Sequence, residues 1–303
     1  MKNTLHLADC DVIFLSYDEP NADENYQKLV KMIPWAQRVH GVDGSDAAHK
    51  ACAKLAETDR FVVVDGDNFM VKEGFLKQTV EISDDTIDLS KCVLSWPSLN
   101  SINGLVYGNG GIKCWDKNVV LNMKTHESAP ANNPRAQVDF CWDIKYIPLD
   151  TVYSEIRNNA SAHQAWRAGF REGVKMSLDE GLKVKDLSKI WKGNLNRMMI
   201  WMTVGADVKN GIWSILGARQ GCYMTNCTDW DFTQVRDFKY LNNLWESEVE
   251  QLSSSQVIDK IKKYGDHLRD KLVIPEAFTS EQSRFFKRFN FNPSRQPASV
   301  TIK

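Results

Sequence analysis

Two aspartates flank one glycine in Asp65-Gly66-Asp67, directly after the apolar run Phe61-Val62-Val63-Val64. Carboxylates so spaced can approach one hard cation, and Mg2+ or Mn2+ held by few protein ligands takes its remaining oxygens from water and a substrate diphosphate. The same three letters also make an ordinary turn, since Asp-Gly favours one. Position weighs on the choice: in open parallel sheets ligands bind outside the carboxyl ends of the strands, where these aspartates fall.

Two upstream segments share that position. Residues 11–17, DVIFLSY, read as a buried strand that runs into a loop marked by Pro20. Its end, Ser16-Tyr17-Asp18-Glu19, offers an aromatic face and polar acceptors, as a nucleotide base requires. Residues 38–46, RVHGVDGSD, form a weaker strand that stops at Asp43-Gly44. From Ser45 onward Ala48, Ala51, Cys52 and Leu55 recur at helical spacing, with Ser45 or Asp43 as the N-cap. That edge therefore supplies an acidic acceptor and the positive end of a helix. A Gly-rich dinucleotide fingerprint and a Walker loop are both absent, which disfavours NAD and ATP.

Strand, helix and strand with nearly continuous apolar strands predict an α/β fold: a mostly parallel sheet flanked by helices on both faces. Further strands are expected at 91–96, around 104–115 and within 144–157. After about residue 160 the pattern turns helical, dividing the chain into a first region, 1–175, and a helical C-terminal region, 176–303. There Trp191, Leu195, Met198 and Met202 share a helical face and read as core packing, methionine being a good gap-filler. Gly217 and Gly221 have a close-packing spacing in a segment too polar for a membrane helix. The tail after residue 283 reads as a loop. It interleaves Arg284, Lys287, Arg288 and Arg295 with Phe285, Phe286, Phe289 and Phe291, a mixture that can hold phosphates and stack bases or dock the tail on the helical region.

Composition narrows the class. The 38 Lys and Arg nearly balance 39 Asp and Glu across 303 residues, so the overall charge advertises neither nucleic acid nor membrane. The seven cysteines are scattered and never spaced CxxC, against a disulfide framework or structural zinc. With no signal-like N-terminus and no apolar run near the ~18 residues of a membrane helix, a cytoplasmic protein with reduced thiols is expected.

The ordered set DVIFLSYDEP, GVDGSDAAHKACAKL and RFVVVDGDN resembles the N-terminal half of a GT-A glycosyltransferase of the family 2 type, over about the first 175 residues. YGNGGIKCW resembles that family's glycine-rich acceptor segment, and QVDFCWDIKY its acidic loop. The resemblance implies a metal-dependent transferase that moves a sugar from a nucleoside-diphosphate sugar, with a UDP-sugar expected, to an acceptor hydroxyl with Mn2+ or Mg2+. Carried over, it sets Tyr17 against the base, with Ser16 and Glu19 beside it, and Asp43 on the base N–H. Asp65 would face ribose and metal, and Asp67 would be a direct metal ligand. His163 would complete the metal site, or else be a structural residue at the start of a helix. Asp139, or Asp143 four residues on, would be the catalytic base, either being equally a solvated carboxylate. Arg167 and Arg171, on one helix face, would add cationic help with the diphosphate or be surface arginines. His49-Lys50 departs from the family, where arginine or asparagine is commoner. The whole pattern is also similar to glycosyltransferases of large tailed phages, some of them resembling enzymes that glycosylate hydroxymethylated pyrimidines in DNA. Such an enzyme would work in the host cytoplasm on modified DNA; a glycan or protein acceptor is the alternative. A phosphatase of the haloacid-dehalogenase type carries its DxD on the first strand, unlike here, and a silent nucleic-acid-binding protein would set Asp65 and Asp67 against phosphate.

Overall fold

The computed structural model describes residues 3–107, 111–130, 132–140, 142–289 and 294–303. The first half alternates strands and helices: β1 (Asn3–His6), β2 (Asp11–Ser16), α1 (Ala22–Met32), β3 (Gln37–His40), α2 (Ser45–Leu55) and β4 (Arg60–Asp65). Short strands follow, namely β5 (Asn68–Met70), β6 (Thr79–Ile82), β7 (Cys92–Ser95), β8 (Ser98–Asn100), β9 (Val106–Tyr107) and β10 (Lys113–Asp116). Then come α3 (Lys117–Asn122), β11 (Lys145–Pro148) and β12 (Ser154–Ile156). The second half holds α4 (Ala162–Met176), the small hairpin of β13 (Leu178–Asp179) and β14 (Leu182–Lys183), α5 (Lys192–Thr203) and α6 (Gly211–Cys227). It ends with α7 (Phe238–Glu248), α8 (Ser254–His267), α9 (Ser280–Phe289) and β15 (Val300–Ile302).

Six strands make the central sheet, in the order β11-β7-β10-β4-β2-β3. β2 pairs parallel with both β3 and β4, as β11 does with β7, whereas β10 runs antiparallel between β4 and β7. The α/β class expected from the sequence is observed, with a mixed rather than purely parallel sheet. The reversal has a local cause. The segment expected as one strand around 104–115 is two, β9 in a separate four-stranded sheet beside β8 and β10 in the central one. The chain thus enters β10 from the carboxyl edge of β4, and Lys113 starts the strand at that edge, opposite Val63.

Both faces of the sheet are covered, which is why its strands read as unbroken apolar runs. Val12, Phe14, Val62 and Val64 point into one core with Leu29 of α1. Ile13, Phe61 and Val63 point into the other with Cys52 and Ala53 of α2 and Val120 of α3.

In the helical half α4 and α6 pack backbone to backbone. A Cβ on Gly169 or Gly173 would collide with the carbonyls of Ser214 or Ala218, and one on Gly217 or Gly221 with those of Trp166 or Phe170. Met198 and Met202 are buried in the core beside this pair, as expected, but Trp191 precedes α5 and is exposed.

The tail differs from the expected loop. Residues 280–289 are helical because Thr279 and Gln282 cap α9 reciprocally: Thr279 N donates to Gln282 Oε1 (2.9 Å) and Gln282 N to Thr279 Oγ1 (3.2 Å). α9 docks through Ser283, whose Oγ accepts from Gly205 N, and through Lys287, which pairs with buried Asp207 at 2.8 Å. Phe286 packs on Phe278, while Phe285 and Phe289 stay exposed; Phe291 lies outside the described residues. β15 then returns to pair antiparallel with β6. Among the described residues no helix is long and apolar enough to cross a membrane, and the described cysteines are unpaired.

Candidate active site

The ends of β2 and β4 lie side by side, Leu15 opposite Asp65, while β3 sits on the far side of β2. The chain therefore leaves β2 in one direction and returns on the other, and such a switch point is where open α/β sheets bind ligands, at the carboxyl edge. The loop after β2 lies at that edge. Tyr17 is 40% exposed, so its ring is open to a ligand, and its hydroxyl points at Asp43 Oδ1, 3.5 Å away. Glu19 folds back so that Oε2 accepts from Tyr17 N at 2.8 Å. Ser16 Oγ is satisfied internally by His40 Nδ1 and Arg38 Nε, both 2.9 Å away.

Gly66 explains the spacing of the two aspartates. Gly66 and Asp67 turn the chain from β4 into β5, as the turn reading expects, yet Gly66 is not among the positive-φ glycines. Its need for glycine is steric: a Cβ would lie 2.6 Å from Glu19 Oε2 and 2.9 Å from Ser16 Cβ. Asn25 Nδ2 ties down the Gly66 carbonyl at 2.9 Å. The bare backbone lets the two strand ends close up, gathering Glu19, Asp65 and Asp67.

Their charges feel one another. Burial, then the charges of Asp65 and Glu19, push the Asp67 carboxyl up to about 7, and burial followed by Asp18 and Asp65 raises Glu19. Asn68 Nδ2 donates to Asp67 Oδ1 at 3.0 Å, and its own Oδ1 accepts from Ser98 Oγ (2.9 Å) and Ser154 Oγ (2.6 Å) in a buried network. Lys113 Nζ reaches Asp65 Oδ2 at 3.3 Å and the Gly111 carbonyl at 3.1 Å. Crowded carboxylates with one oxygen-rich mouth suit a hard divalent cation that completes its shell with water and ligand oxygens. Among the described residues no group of three or more His, Cys, Asp or Glu side chains forms a metal cage, so the fit is that of an open two-carboxylate site.

The other expected site residues have partners of their own, and Arg171 also feels the charge of Asp67. His163 does not join Asp65 and Asp67; its ring packs against Trp166 and Trp245, 6.3 and 5.1 Å away, and burial lowers its pKa. Arg167 clamps Asp18 with both Nη atoms, at 2.9 and 3.0 Å, so α4 braces the Tyr17 loop. Burial alone would raise the Asp18 pKa, but that clamp holds it below the usual carboxylate range. Arg171 lies over the Phe238 ring (4.9 Å) beside Arg167 (4.6 Å), its Nε buried without a hydrogen-bond partner. Asp139 is exposed and paired with Arg135 at 3.1 Å, and Asp143 is exposed. Residues 108–110 of the glycine-rich segment and Cys141 of the acidic loop lie outside the described residues.

Three residues escaped sequence reasoning. Lys113 carried one signal, a lone lysine in an apolar strand, and Asn68 adjoins the motif. Glu127 carried none: its carboxylate accepts from Ser45 N and Asp46 N and caps α2, where Ser45 or Asp43 was expected. The N-cap position itself is Gly44 at φ +85°, which has no side chain to cap with. His49, the departure from the family pattern, is packed against Phe140 (4.4 Å) and Trp115 (5.9 Å), and burial lowers its pKa.

No protein-family model matches the chain, and no curated protein matches it. A solved structure, HddC from Yersinia pseudotuberculosis, aligns over 48% of this chain and 72% of that chain, at 13% identity and a TM-score of 0.26. A likeness that slight leaves the functional reading to the site.

Proposed function

We propose that this protein is a GT-A-type glycosyltransferase that takes a nucleoside-diphosphate sugar, a UDP-sugar in the first instance, and transfers the sugar to an acceptor hydroxyl with help from Mn2+ or Mg2+. One observation carries the reading: an exposed tyrosine with an acidic neighbour and a cluster of carboxylates meet at the switch point of an α/β sheet. The first pair suits a pyrimidine base and the second a metal-bound diphosphate. In this reading Tyr17 stacks on the base, Asp43 accepts its ring N–H, Asp65 serves ribose and metal, and Asp67 holds the metal. Such a metal would neutralise charge developing on the leaving diphosphate. Asn68 holds the Asp67 carboxylate in place, and Arg167 keeps the Tyr17 loop closed against the sheet through Asp18. In an inverting reaction Asp139 or Asp143 takes the proton of the acceptor hydroxyl.

The acceptor reading, a hydroxymethylated pyrimidine in DNA, draws support from α9, where Phe285 and Phe289 are exposed beside exposed Arg284 and Arg288. Nucleoside-diphosphate release from a panel of nucleotide sugars with Mn2+, native chain against Asp67→Ala, tests the donor. Turnover of one donor, lost in the variant, supports the reading; no turnover and no metal-dependent binding of any donor removes it. Labelled sugar transfer to DNA with and without hydroxymethylated bases then tests the acceptor.

A further inference from the structure

Lys113 is a buried lysine, 7% exposed, at the carboxyl edge of the sheet, where β4 ends in Asp65 and β2 runs into Asp18 and Glu19. It arrives there because β10 runs against its neighbours, and its ammonium is fixed between two acceptors, Asp65 Oδ2 and the Gly111 carbonyl. The contact with Asp65 is a direct ion pair, whereas Asp67 has a neutral amide, Asn68, on its Oδ1 and feels the charges of Lys113 and Arg171 only from beyond contact. A buried ammonium is costly unless paired, so Asp65 and Lys113 hold each other in place. A divalent cation approaching Asp65 meets a positive charge already within hydrogen-bonding distance of its ligand.

We propose that Lys113 is the built-in counter-cation of the Asp65–Asp67 site, so that a divalent cation enters together with a diphosphate-bearing ligand rather than ahead of it. The diphosphate supplies the negative charge that Lys113 has used up on Asp65, and ammonium and metal then share one anionic ligand. This rests on the glycosyltransferase reading for the identity of the ligand but not for the charge balance, which belongs to the chain itself.

Equilibrium dialysis of Mn2+ tests it, counting the excess metal on the protein side, alone, with inorganic diphosphate, and with UDP, both anions being free to cross the membrane. The native chain is expected to bind Mn2+ weakly alone and at least about tenfold more tightly with either anion, tenfold corresponding to a modest Coulomb difference at this range. Lys113→Gln, which keeps a donor for the Gly111 carbonyl, is expected to bind Mn2+ alone at least about tenfold more tightly than native. Lys113→Arg, which keeps the charge, should behave as native. Unchanged Mn2+ affinity in Lys113→Gln, with a native melting curve, overturns the proposal. If Lys113→Gln fails to fold, the native and Lys113→Arg chains still decide it: tight Mn2+ binding without any anion overturns it. The two readings separate cleanly. Tightening by diphosphate but not by UDP sinks the nucleotide-sugar reading and leaves Lys113 in its role; equal tightening by UDP in native and Lys113→Gln chains does the reverse.

Discussion

The α4–α6 helix pair and the carboxyl edge of the sheet are both places where glycine allows a close approach, and they use it for opposite ends. Between α4 and α6, four glycines bring backbone against backbone, and what closes up is apolar: Trp166, Phe170 and Val174 are fully buried there. At the sheet edge, Gly66 lets the Glu19 carboxylate close on the turn between Asp65 and Asp67, and what closes up is like charge. The first contact stabilises the fold; the second crowds like charges, which in the glycosyltransferase reading a cation and its ligand relieve. In that reading stability and chemistry are separated in space, and substitutions should separate them as well.

The largest effect is expected at Asp67. Asp67→Asn removes one charge from the cluster and keeps the shape, so in the glycosyltransferase reading donor turnover should fall by roughly a thousandfold, about 4 kcal/mol of transition-state stabilisation. The melting temperature should stay level or rise. A variant that loses stability and activity in parallel would show that Asp67 is a structural turn residue.

Gly217 is the mirror case. Gly217→Ala drives a methyl group into the Trp166 carbonyl, and overpacking of this kind costs about 1–3 kcal/mol. Midpoints of urea unfolding should fall accordingly while turnover per folded molecule stays unchanged. A neutral result would mean the two helices can slide apart cheaply.

A pH dependence sharpens the same contrast from the segment that lies between the two regions. Burial, then the cations Arg171 and Arg236, lower His126 from 6.5 to about 4, and Arg236 Nη1 donates to the His126 carbonyl at 2.6 Å. A base with a depressed folded pKa stays neutral in the folded chain while the unfolded chain takes up a proton below 6.5. Stability should therefore fall as pH drops from 6.5 towards 4 and level off below, by up to about 3 kcal/mol for this one group. Denaturation midpoints of native and His126→Gln across that window measure it; parallel curves would assign the acid limb to other groups.

How far the sequence reached follows the range of the interactions. The apolar runs before Ser16-Tyr17 and Asp65 were legible because burial on both faces leaves its mark residue by residue. The loop reading of the tail overlooked a local signal, Thr279-x-x-Gln282, that the structure uses as a capping box. Lys113 could not be placed, because its position depends on β10 reversing direction, and that is set by which sheet takes β9. His163 drew attention as a histidine after the last strand, yet the tryptophans beside it, Trp166 and Trp245, decide its surroundings. Residues fixed by neighbours in sequence could be read, and those fixed by partners across the fold could not.

Glu127 offers the smallest and most specific test of that distinction. It caps α2 from 82 residues away, at the same edge where Asp43 faces Tyr17. Glu127→Ala leaves the Ser45 and Asp46 amides to water and removes an acid from a helix N-terminus, a loss of about 1 kcal/mol. Thr279→Ala should cost α9 a similar amount, so overall stability alone does not tell the two caps apart. Location does: hydrogen exchange should quicken over the first turn of α2 in the first variant and over α9 in the second. In the glycosyltransferase reading Glu127→Ala should also weaken UDP binding a few-fold through the loosened Asp43 turn, with Thr279→Ala leaving it unchanged. Equal UDP affinity in both would detach Asp43 from the base-binding edge and leave Tyr17 as its remaining contact.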